Sequence, residues 1–407
     1  MFPLSNLLRR FVRIGSLKVI DAGGREHVFS GEPGPSVTLS INKPSLYYKI
    51  FFNPGLYFGE AYMDGSLRFE SGSLRDFTEL YFLNEQRLYS HPFQRLVRRI
   101  AIKFRRFQQN NSITRSRRKI AHHYDIGNAF YRLFLDEDMQ YSCAYFEKPD
   151  NSLEQAQQNK KRLVAAKLDL KPNLRILDIG SGWGGLALYL ASLDETIEVL
   201  GVTLSQEQHQ LSNERARKAG LDGRVRFEIR DYRELDGTFD RIVSVGMFEH
   251  VGVHYYKQFF DRVGDLLRED GIALLHAIGH KNPPEYTSAW LRKYIFPGGY
   301  TPALSEVFAA TERSGLWVDD VEILRLHYSY TLREWNRRFW ENYDAVEEMF
   351  DTRFCRMWEF YLTISEELFR SGSRLVFQMQ LSRRRDAMPI TRDYIGENQQ
   401  KLRELGV

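Results

Sequence analysis

Five near-continuous apolar runs place the strongest constraint on how this chain can fold. They are "RILDIG" (175–180), "EVLGVTLS" (198–205), "VRFEIRD" (225–231), "FDRIVSVGM" (239–247) and "GIALLHAIG" (271–279). Such runs are typical of parallel strands that are buried on both faces of a sheet. Helical stretches such as "SQEQHQLSNERARKAG" separate them. Strands that alternate with helices predict an open α/β sheet with right-handed crossovers, in which a ligand binds beyond the carboxyl ends of the strands.

The chain has 407 residues, more than a typical single domain, and is expected to form more than one. Residues 1–85 contain short β-like runs separated by Gly/Pro turns, which predict a small α+β domain. Residues 86–120 predict a basic linker helix, and residues 121–407 the α/β domain. Inside that domain, an aromatic-rich helical insertion near 331–370 either packs the core or walls a long apolar ligand such as a lipid chain.

The basic linker contains eleven Lys/Arg and no Asp or Glu between Arg87 and Lys119. A solvated linker, a nucleic-acid contact and an anionic membrane surface are the three interpretations of such a segment. Apolar residues interleave with the arginines, as in a basic amphipathic helix that lies on lipid headgroups. The chain lacks RNA-binding aromatic signatures and zinc-finger spacings. The pattern therefore favours a membrane surface over nucleic acid.

Cysteine usage and hydropathy bear on the cellular location. The only two cysteines, Cys143 and Cys355, cannot form a disulfide framework, and no CxxC or Cys/His spacing suggests a metal site. A reducing, cytoplasmic location is expected. The first residues, "MFPLSNLLRRFVRIG", predict no signal peptide, and no apolar run is long enough to span a bilayer. The chain is expected to be soluble, with peripheral association at the membrane.

Four glycines follow the first apolar run, at positions 180, 182, 184 and 185 of "ILDIGSGWGGLALYLA". Glycines between a strand and a helix let a nucleotide approach backbone N–H groups at the helix N-terminus. A dinucleotide site also needs an acidic residue at the end of the second strand, and "GVTLS" contains none. Asp178 ends the first strand, and "RDY" (Arg230–Tyr232) ends the third, where an acid and a ring can frame an adenine. The pattern favours S-adenosylmethionine over a dinucleotide, in a Rossmann-like methyltransferase domain.

Several longer segments carry a family resemblance. They are "HHYDIGNAFYRLFLDEDMQYSCAYF", "LDIGSGWGGLALYLA", "GVTLSQEQ", "MFEHVG", "LHAIG", "YIFPGGYTPALSE", "LHYSYTLREW" and "RMWEFYL". In this order, from about residue 120 to 385, they resemble the cyclopropane-fatty-acyl-phospholipid synthase and mycolic acid methyltransferase family, whose members use S-adenosylmethionine on unsaturated acyl chains. The first 85 residues look, more weakly, like the extra domain of the phospholipid-acting branch.

The resemblance implies two sets of site residues. The first set should line the S-adenosylmethionine site: Tyr141, Ser142, Asp178, Gly180, Gly182, Thr203, Leu204, Gln208, Asp231 and Tyr232. The second set should hold a bicarbonate ion, with Cys143 and Ile278 acting through backbone groups: Cys143, Glu249, His276, Ile278 and Tyr328. His123, in "HHYD", is either a proton outlet or structural.

Glu249 also stands out from its position alone, because it follows the fourth apolar run, where an active-site group is expected. The alternative is a helix cap. A carboxylate there would repel carbonate, but bicarbonate can donate its proton to it. His276, taken alone, reads as a core histidine, whereas its place on the neighbouring strand favours a role in the site. Cys143 is not expected to act as a nucleophile, because the chemistry needs none.

The implied reaction adds a methylene group from S-adenosylmethionine to the cis double bond of an unsaturated phospholipid in the membrane, with bicarbonate as the base. One alternative gives a methyl-branched chain through the same fold. Another, from a different class, is a non-catalytic lipid-binding module at the membrane surface. A base-flipping nucleic-acid enzyme is disfavoured, because "NPPEY" follows the fifth strand rather than the fourth. Relatives suggest a homodimer, which no residue pattern fixes.

Overall fold

The computed structural model describes residues 1–88, 92–97, 99–100 and 126–406. The chain divides into two compact units, which are Met1–Gln108 with Glu285–Pro297 and Leu332–Ser373, and Gln109–Pro284 with Gly298–Thr331 and Arg374–Val407. Segments from the predicted α/β domain thus group with the amino-terminal part of the chain. The predicted domain boundaries at residues 85 and 120 stay a prediction.

The secondary structure is named in chain order. The strands are β1 (Ile14–Ile20), β2 (Glu26–Ser30), β3 (Glu32–Ile41), β4 (Leu67–Ser71), β5 (Arg175–Ile179), β6 (Glu198–Thr203), β7 (Val225–Ile229), β8 (Phe239–Val245), β9 (Leu267–His280), β10 (Trp317–Leu324) and β11 (Arg374–Ser382). The labelled α-helices are α1 (Leu4–Phe11), α2 (Ser45–Phe52), α3 (Pro54–Met63), α4 (Leu74–Leu88), α5 (Asn128–Tyr131), α6 (Leu153–Lys167), α7 (Gly185–Ser192), α8 (Gln206–Lys218), α9 (Tyr256–Leu266), α10 (Ala289–Tyr294), α11 (Leu304–Thr311), α12 (His327–Glu341), α13 (Tyr343–Met349), α14 (Thr352–Arg370) and α15 (Asp393–Glu404).

The first unit contains a four-stranded sheet in the order β2-β1-β3-β4. Strands β1 and β3 are parallel, and the two outer pairings are antiparallel. Alternate residues of the central strands, such as Leu17, Val19, Val37 and Leu39, are buried against helices including α1 and α4. The predicted small α+β part is confirmed, although β2 was not predicted, because "EHVFS" has few apolar residues.

The aromatic insertion also packs within the first unit. Trp290 and Phe360 form an edge contact at 4.7 Å, and Phe360 lies 6.2 Å from Phe58 of α3. Trp335 and Trp358 are fully buried. Much of the ring content of the insertion therefore serves core packing, which was one of its two interpretations.

Part of the predicted basic linker helix (86–120) belongs to this unit. Residues 86–88, 92–97 and 99–100 are helical, and the remainder lies outside the described residues. Phe93 stacks on Phe51 at 5.5 Å, and the Gln94 side chain donates to the Phe51 carbonyl at 2.5 Å. These contacts hold one side of the short helical stretch against the end of α2.

The second unit contains a seven-stranded sheet in the order β10-β11-β9-β8-β5-β6-β7. Strands β5 to β9 pair in parallel, whereas β11 runs antiparallel to both β9 and β10. All five strands predicted from the apolar runs are present. The predicted Rossmann-like α/β class is confirmed, while the antiparallel pair β10 and β11 was not predicted. The strand order places the carboxyl ends of β5, β6, β7 and β8 side by side along one edge.

In the described portion of the chain, no helix combines the length and apolar character that crossing a bilayer requires.

Candidate active site

A cavity opens at the carboxyl ends of the parallel strands in the second unit. Its volume is about 1130 Å³, including space open to solvent. Every residue of the predicted cofactor set lies on its wall: Tyr141, Ser142, Asp178, Gly180, Gly182, Thr203, Leu204, Gln208, Asp231 and Tyr232. This is where an open α/β sheet is expected to hold its ligand. Their role as cofactor ligands stays a prediction.

The floor of the cavity is the turn between β5 and α7. Gly180 and Gly182 have φ angles of +84° and +55°, in the region that favours glycine. A Cβ at Gly180 would lie 2.8 Å from the Met247 side chain, whereas a Cβ at Gly182 would meet nothing within 4 Å. The first glycine is thus required by the close approach of Met247, and the second leaves open space beside the turn.

Asp178, the fourth residue of β5, is an ionisable group on the cavity wall. Its side chain is buried, and Oδ2 has no hydrogen-bond partner. Burial raises the pKa of this carboxyl to about 7, and the nearby Lys160 charge opposes the shift. A buried carboxylate with an unpaired oxygen is costly alone but suits a cationic or N–H-bearing ligand.

Lys160 of α6 holds the Gln140–Ser142 segment, which forms part of the cavity wall. Lys160 is fully buried, and Nζ donates to Ser142 Oγ at 3.0 Å and to Gln140 Oε1. Burial lowers the pKa of Lys160 to about 8. Because the ammonium occupies an acceptor site of the Ser142 hydroxyl, that hydroxyl can direct its own proton elsewhere.

Two side-chain pairs shape the opposite wall. Both oxygens of Asp231 accept hydrogen bonds from the Arg233 guanidinium, at 2.8 and 2.7 Å. Thr203 Oγ1 donates to Gln208 Oε1 at 2.8 Å, and because that oxygen is the acceptor, the Gln208 amide nitrogen is the group left to donate. This wall therefore combines the Asp231 carboxylate, paired with Arg233, the Tyr232 ring and the Gln208 amide N–H donor.

Glu249 lies in a short 3₁₀ turn after β8 and is buried. Its Oε1 accepts the Ile278 backbone N–H at 2.6 Å, while Oε2 is buried without a partner. Burial raises the pKa of Glu249 to about 7. The bond to Ile278 reaches across to β9, and a contact with the backbone N–H of Glu249 itself also holds the carboxyl, so the cap alternative stays open. Glu249 and Ile278 are thus brought together.

His276 lies on β9, directly opposite Val245 at the end of β8. The ring is buried, and Nδ1 lies 3.1 Å from the Gln378 amide nitrogen. Burial lowers the pKa of His276 to about 3, with further lowering by Lys160 and Lys167. The imidazole is therefore neutral at physiological pH.

A different pairing holds the segment after Cys143 against the start of α12, the helix that contains Tyr328. Ala144 N–H donates to Thr331 Oγ1 at 3.0 Å, and Phe146 N–H donates to His327 Nδ1 at 3.0 Å, so the segment after Cys143 lies along the first turn of α12. Burial raises the pKa of the Cys143 thiol, which favours the protonated form over the nucleophilic thiolate. None of the five predicted bicarbonate residues is on the wall of the cavity described above.

Sequence reasoning overlooked several residues of this region. Trp183, Met247, His250 and Arg233 also line the cavity, Lys160 supports its wall through Gln140 and Ser142, and Gln378 contacts His276 outside it. Trp183 has a sequence signal, because it lies inside the glycine turn. Lys160 has none, since a lysine in a helix normally indicates exposure. The predicted role of His123 lies outside the described residues.

A parallel sheet, a glycine turn and a cavity at the strand ends define an α/β methyltransferase that uses S-adenosylmethionine. A family model described as "Mycolic acid cyclopropane synthetase" matches residues 111–379, well over half of the sequence, and the chain belongs to that family.

The comparisons with individual proteins agree. The chain is similar to the cyclopropane-fatty-acyl-phospholipid synthase of Escherichia coli (strain K12), with 36% identity over 345 residues, 85% of this chain and 87% of that protein. It is 34% identical over 393 residues to the tuberculostearic acid methyltransferase UfaA1 of Mycobacterium tuberculosis, covering 93% and 90%. The structure of the cyclopropane synthase CmaA1 complexed with SAH and CTAB aligns with a TM-score of 0.61 and 32% identity, covering 65% of this chain and 97% of that one.

Proposed function

We propose that this enzyme converts the cis double bond of an unsaturated phospholipid acyl chain into a cyclopropane ring, with S-adenosylmethionine as donor and bicarbonate as base. The observation that carries the proposal is Glu249, a buried carboxylate fixed on Ile278 with its second oxygen unpartnered. Family membership and the similarity to a phospholipid-acting synthase supply the reaction class.

The cavity residues fit S-adenosylmethionine by their chemistry. The unpaired Asp178 oxygen suits the ammonium of an amino acid, and the open space at Gly182 lets the ligand approach the turn. Tyr232 and the Gln208 amide offer a ring and a donor on the opposite wall. When bound, S-adenosylmethionine supplies the electrophilic methyl carbon.

The second set of residues fits a small protonated anion. In its ionised form Glu249 can only accept hydrogen bonds, so its unpaired oxygen then favours an ion that carries a proton, as bicarbonate does and carbonate does not. Neutral His276 and the Tyr328 hydroxyl can donate to the remaining oxygens. When bound, bicarbonate supplies a base that adds no nucleophilic side chain beside a carbocation.

The enzyme is proposed to act at an anionic membrane surface, and the described part of the basic segment supports this proposal. Leu96 and Ile100 are 55% and 48% exposed, and Arg95 and Arg99 are exposed beside them. Their spacing puts an apolar and a basic side chain on the outward side of each turn, while Phe93 and Gln94 hold the other side. Such a surface fits lipid headgroups. The predicted homodimer stays a prediction.

Product analysis tests the proposal. The full chain is incubated with S-adenosylmethionine, bicarbonate and vesicles of unsaturated anionic phospholipid, and the acyl chains are analysed by mass spectrometry. A gain of one CH₂ unit on a chain that resists mild hydrogenation is the expected result. Removal of bicarbonate should suppress it, and its return should restore it.

Glu249→Gln is expected to lower product formation by about 100-fold or more, because the amide cannot accept the proton in the same way. Binding of S-adenosylmethionine, which uses the cavity, is the control and should stay unchanged. A gain of one CH₂ on a chain that still contains an alkene would support the methyl-branched alternative. Membrane binding without any turnover would leave the lipid-binding module.

A further inference from the structure

Three side chains form a row across three neighbouring strands of the second unit. His276 on β9 pairs with Gln378 on β11, and Gln378 pairs with Glu322 on β10. Directly paired residues project from the same face of a sheet. The row therefore leads from the proposed base site towards the edge of the sheet.

Lys167, the last residue of α6, covers this row and fixes its hydrogen-bond directions. Its Nζ donates to Gln378 Oε1 at 2.7 Å and forms an ion pair with Glu322. An ammonium group can only donate, so the Gln378 oxygen must be the atom that faces Lys167. The Gln378 amide nitrogen then faces His276 Nδ1, at 3.1 Å, and must donate to it. Nδ1 accepts, so the proton of the neutral ring is on Nε2.

Three of these side chains, Lys167, Gln378 and His276, are inaccessible to water that could replace a lost hydrogen bond. Lys167 and Gln378 are fully buried, and His276 is 2% exposed. Lys160 lies about two helical turns before Lys167 on α6 and is also buried. The positive charges of these two lysines both act against protonation of the ring, in addition to its burial. Only one protonation state and one tautomer of His276 satisfies all these groups.

We propose that Lys167 and Gln378 are positioning residues that hold His276 as the Nε2–H tautomer, so that the ring donates a hydrogen bond to the base bound beside it. The inference rests on the proposed role of His276 in holding bicarbonate. The tautomer itself does not depend on that role. A neutral donor suits an ion that must keep its basicity, because a charged imidazolium would give up its proton to it.

Nitrogen NMR of the full chain with ¹⁵N-labelled histidine tests the tautomer without any turnover. His276→Asn identifies the signals by their loss. The expected spectrum has an unprotonated Nδ1 and a protonated Nε2, and it stays unchanged between about pH 5 and about pH 8, where an ordinary histidine titrates. A protonated Nδ1, or titration within that range, would overturn the proposal.

Gln378→Glu is the matching variant. A carboxylate cannot donate to Nδ1, so the proton should move to Nδ1 and product formation should fall about 10- to 100-fold, as for other residues that orient a reactive group from behind. Binding of S-adenosylmethionine should not change.

Gln380→Glu is the control, because it makes the same change two residues along β11. Gln380 is equally buried but donates to the Lys167 carbonyl and the Tyr394 hydroxyl instead of His276. It should leave the His276 tautomer as in the wild type. The proposal would be wrong if both variants lost activity equally and both kept the wild-type tautomer. Gln378 would then have only a structural role. If Gln378→Glu does not fold, the wild-type spectrum still decides. If the proposed function is wrong, the product assay will show no cyclopropane chain, whereas the nitrogen spectrum of His276 will still show the Nε2–H tautomer.

Discussion

Asp178, Glu249 and His276 are buried in the second unit, and burial drives all three towards the neutral form. The pKa rises to about 7 for each carboxyl and falls to about 3 for the imidazole. Asp178 and Glu249 each keep an oxygen without a partner. Such groups lower the stability of the ligand-free protein, and a ligand that completes their hydrogen bonds offsets that cost. Buried ionisable groups with unpaired oxygens are typical of a binding site, because a hydrophobic core would leave them without compensating hydrogen bonds.

Asp178→Asn is expected to stabilise the ligand-free protein and to weaken its binding of S-adenosylmethionine. The folded pKa of about 7 lies above the ordinary value of 3.8, so the folded state holds more protons than the unfolded state between these pH values. Stability therefore falls as pH rises through this window, and the loss is complete above pH 7. The variant should recover up to about 4 kcal/mol at pH 8.

Chemical denaturation of the wild type and the variant at about pH 8 and near pH 5 measures this effect, and the comparison at the lower pH is the control. The stabilisation should be clearly smaller near pH 5, where Asp178 of the folded wild type is already protonated. Equal stabilisation at both pH values would mean that the charge of Asp178 is not the cause. Unchanged affinity for S-adenosylmethionine in a calorimetric titration would remove Asp178 from the cofactor site.

In the turn between β5 and α7, substitution can affect folding and binding separately, because Gly180 and Gly182 differ in what surrounds them. Gly182→Ala adds a methyl group in open space on the cavity wall, and it should cost only about 1 kcal/mol of stability from its left-handed backbone. Its affinity for S-adenosylmethionine should fall at least about tenfold, since the methyl group occupies ligand space.

Gly180→Ala is the matched partner, two residues earlier in the same turn. Its methyl group would overlap Met247, so stability should fall by roughly 1–3 kcal/mol more than in Gly182→Ala. Thermal unfolding and cofactor titration of both variants check the pair. The interpretation of the cavity fails if Gly182→Ala binds S-adenosylmethionine as tightly as the wild type.

The sequence predicts the strands of the second sheet that are continuous apolar runs and misses β11, whose buried residues include polar ones. Strands β5 to β9 are apolar runs and lie where they were expected. Strand β11 is equally central, but it reads "RLVFQMQLS" and contains Gln378 and Gln380, both fully buried. Their burial depends on partners that are distant in sequence, Lys167, His276 and Tyr394. Hydropathy along one segment cannot contain that information, so the antiparallel end of the sheet was not predicted.

The same limit applies to helix α6. Its sequence, "LEQAQQNKKRLVAAK", has low hydrophobicity and predicts a surface helix, yet Lys160 and Lys167 are fully buried. A buried lysine is stable only where acceptors converge on it, and those acceptors come from the Gln140–Ser142 segment, β10 and β11. The residues of the cofactor cavity were accessible through the family resemblance, and all of the predicted ones except Tyr141 and Ser142 also lie at or soon after the ends of predicted strands. The residues that support them from behind were not.

The molecule as a whole assigns its two proposed tasks to different units. The cavity and the Glu249 site belong entirely to the second unit, whereas the described part of the basic segment belongs to the first. Membrane binding and chemistry should therefore be separable by substitution.

Arg95→Gln with Arg99→Gln is expected to weaken binding to anionic vesicles while leaving the chemistry intact. Each basic residue near such a surface contributes about 1 kcal/mol, so the pair should reduce the partition coefficient by about 30-fold at low salt. The difference between wild type and variant should shrink as ionic strength rises, because salt screens exposed charges. Vesicle sedimentation at low and high salt measures both effects.

Arg217→Gln with Lys218→Gln removes two exposed basic residues from α8 of the second unit and is the control. It should leave vesicle binding nearly unchanged, because it lowers the net charge equally without touching the basic segment. Cyclopropanation of phospholipid dispersed in neutral detergent should proceed at the wild-type rate in both double variants. Equal loss of vesicle binding in the two would show that net charge alone drives association, and the basic segment would then have no special role. If only the Arg95/Arg99 pair loses both vesicle binding and the vesicle reaction, the segment delivers the enzyme to its lipid substrate.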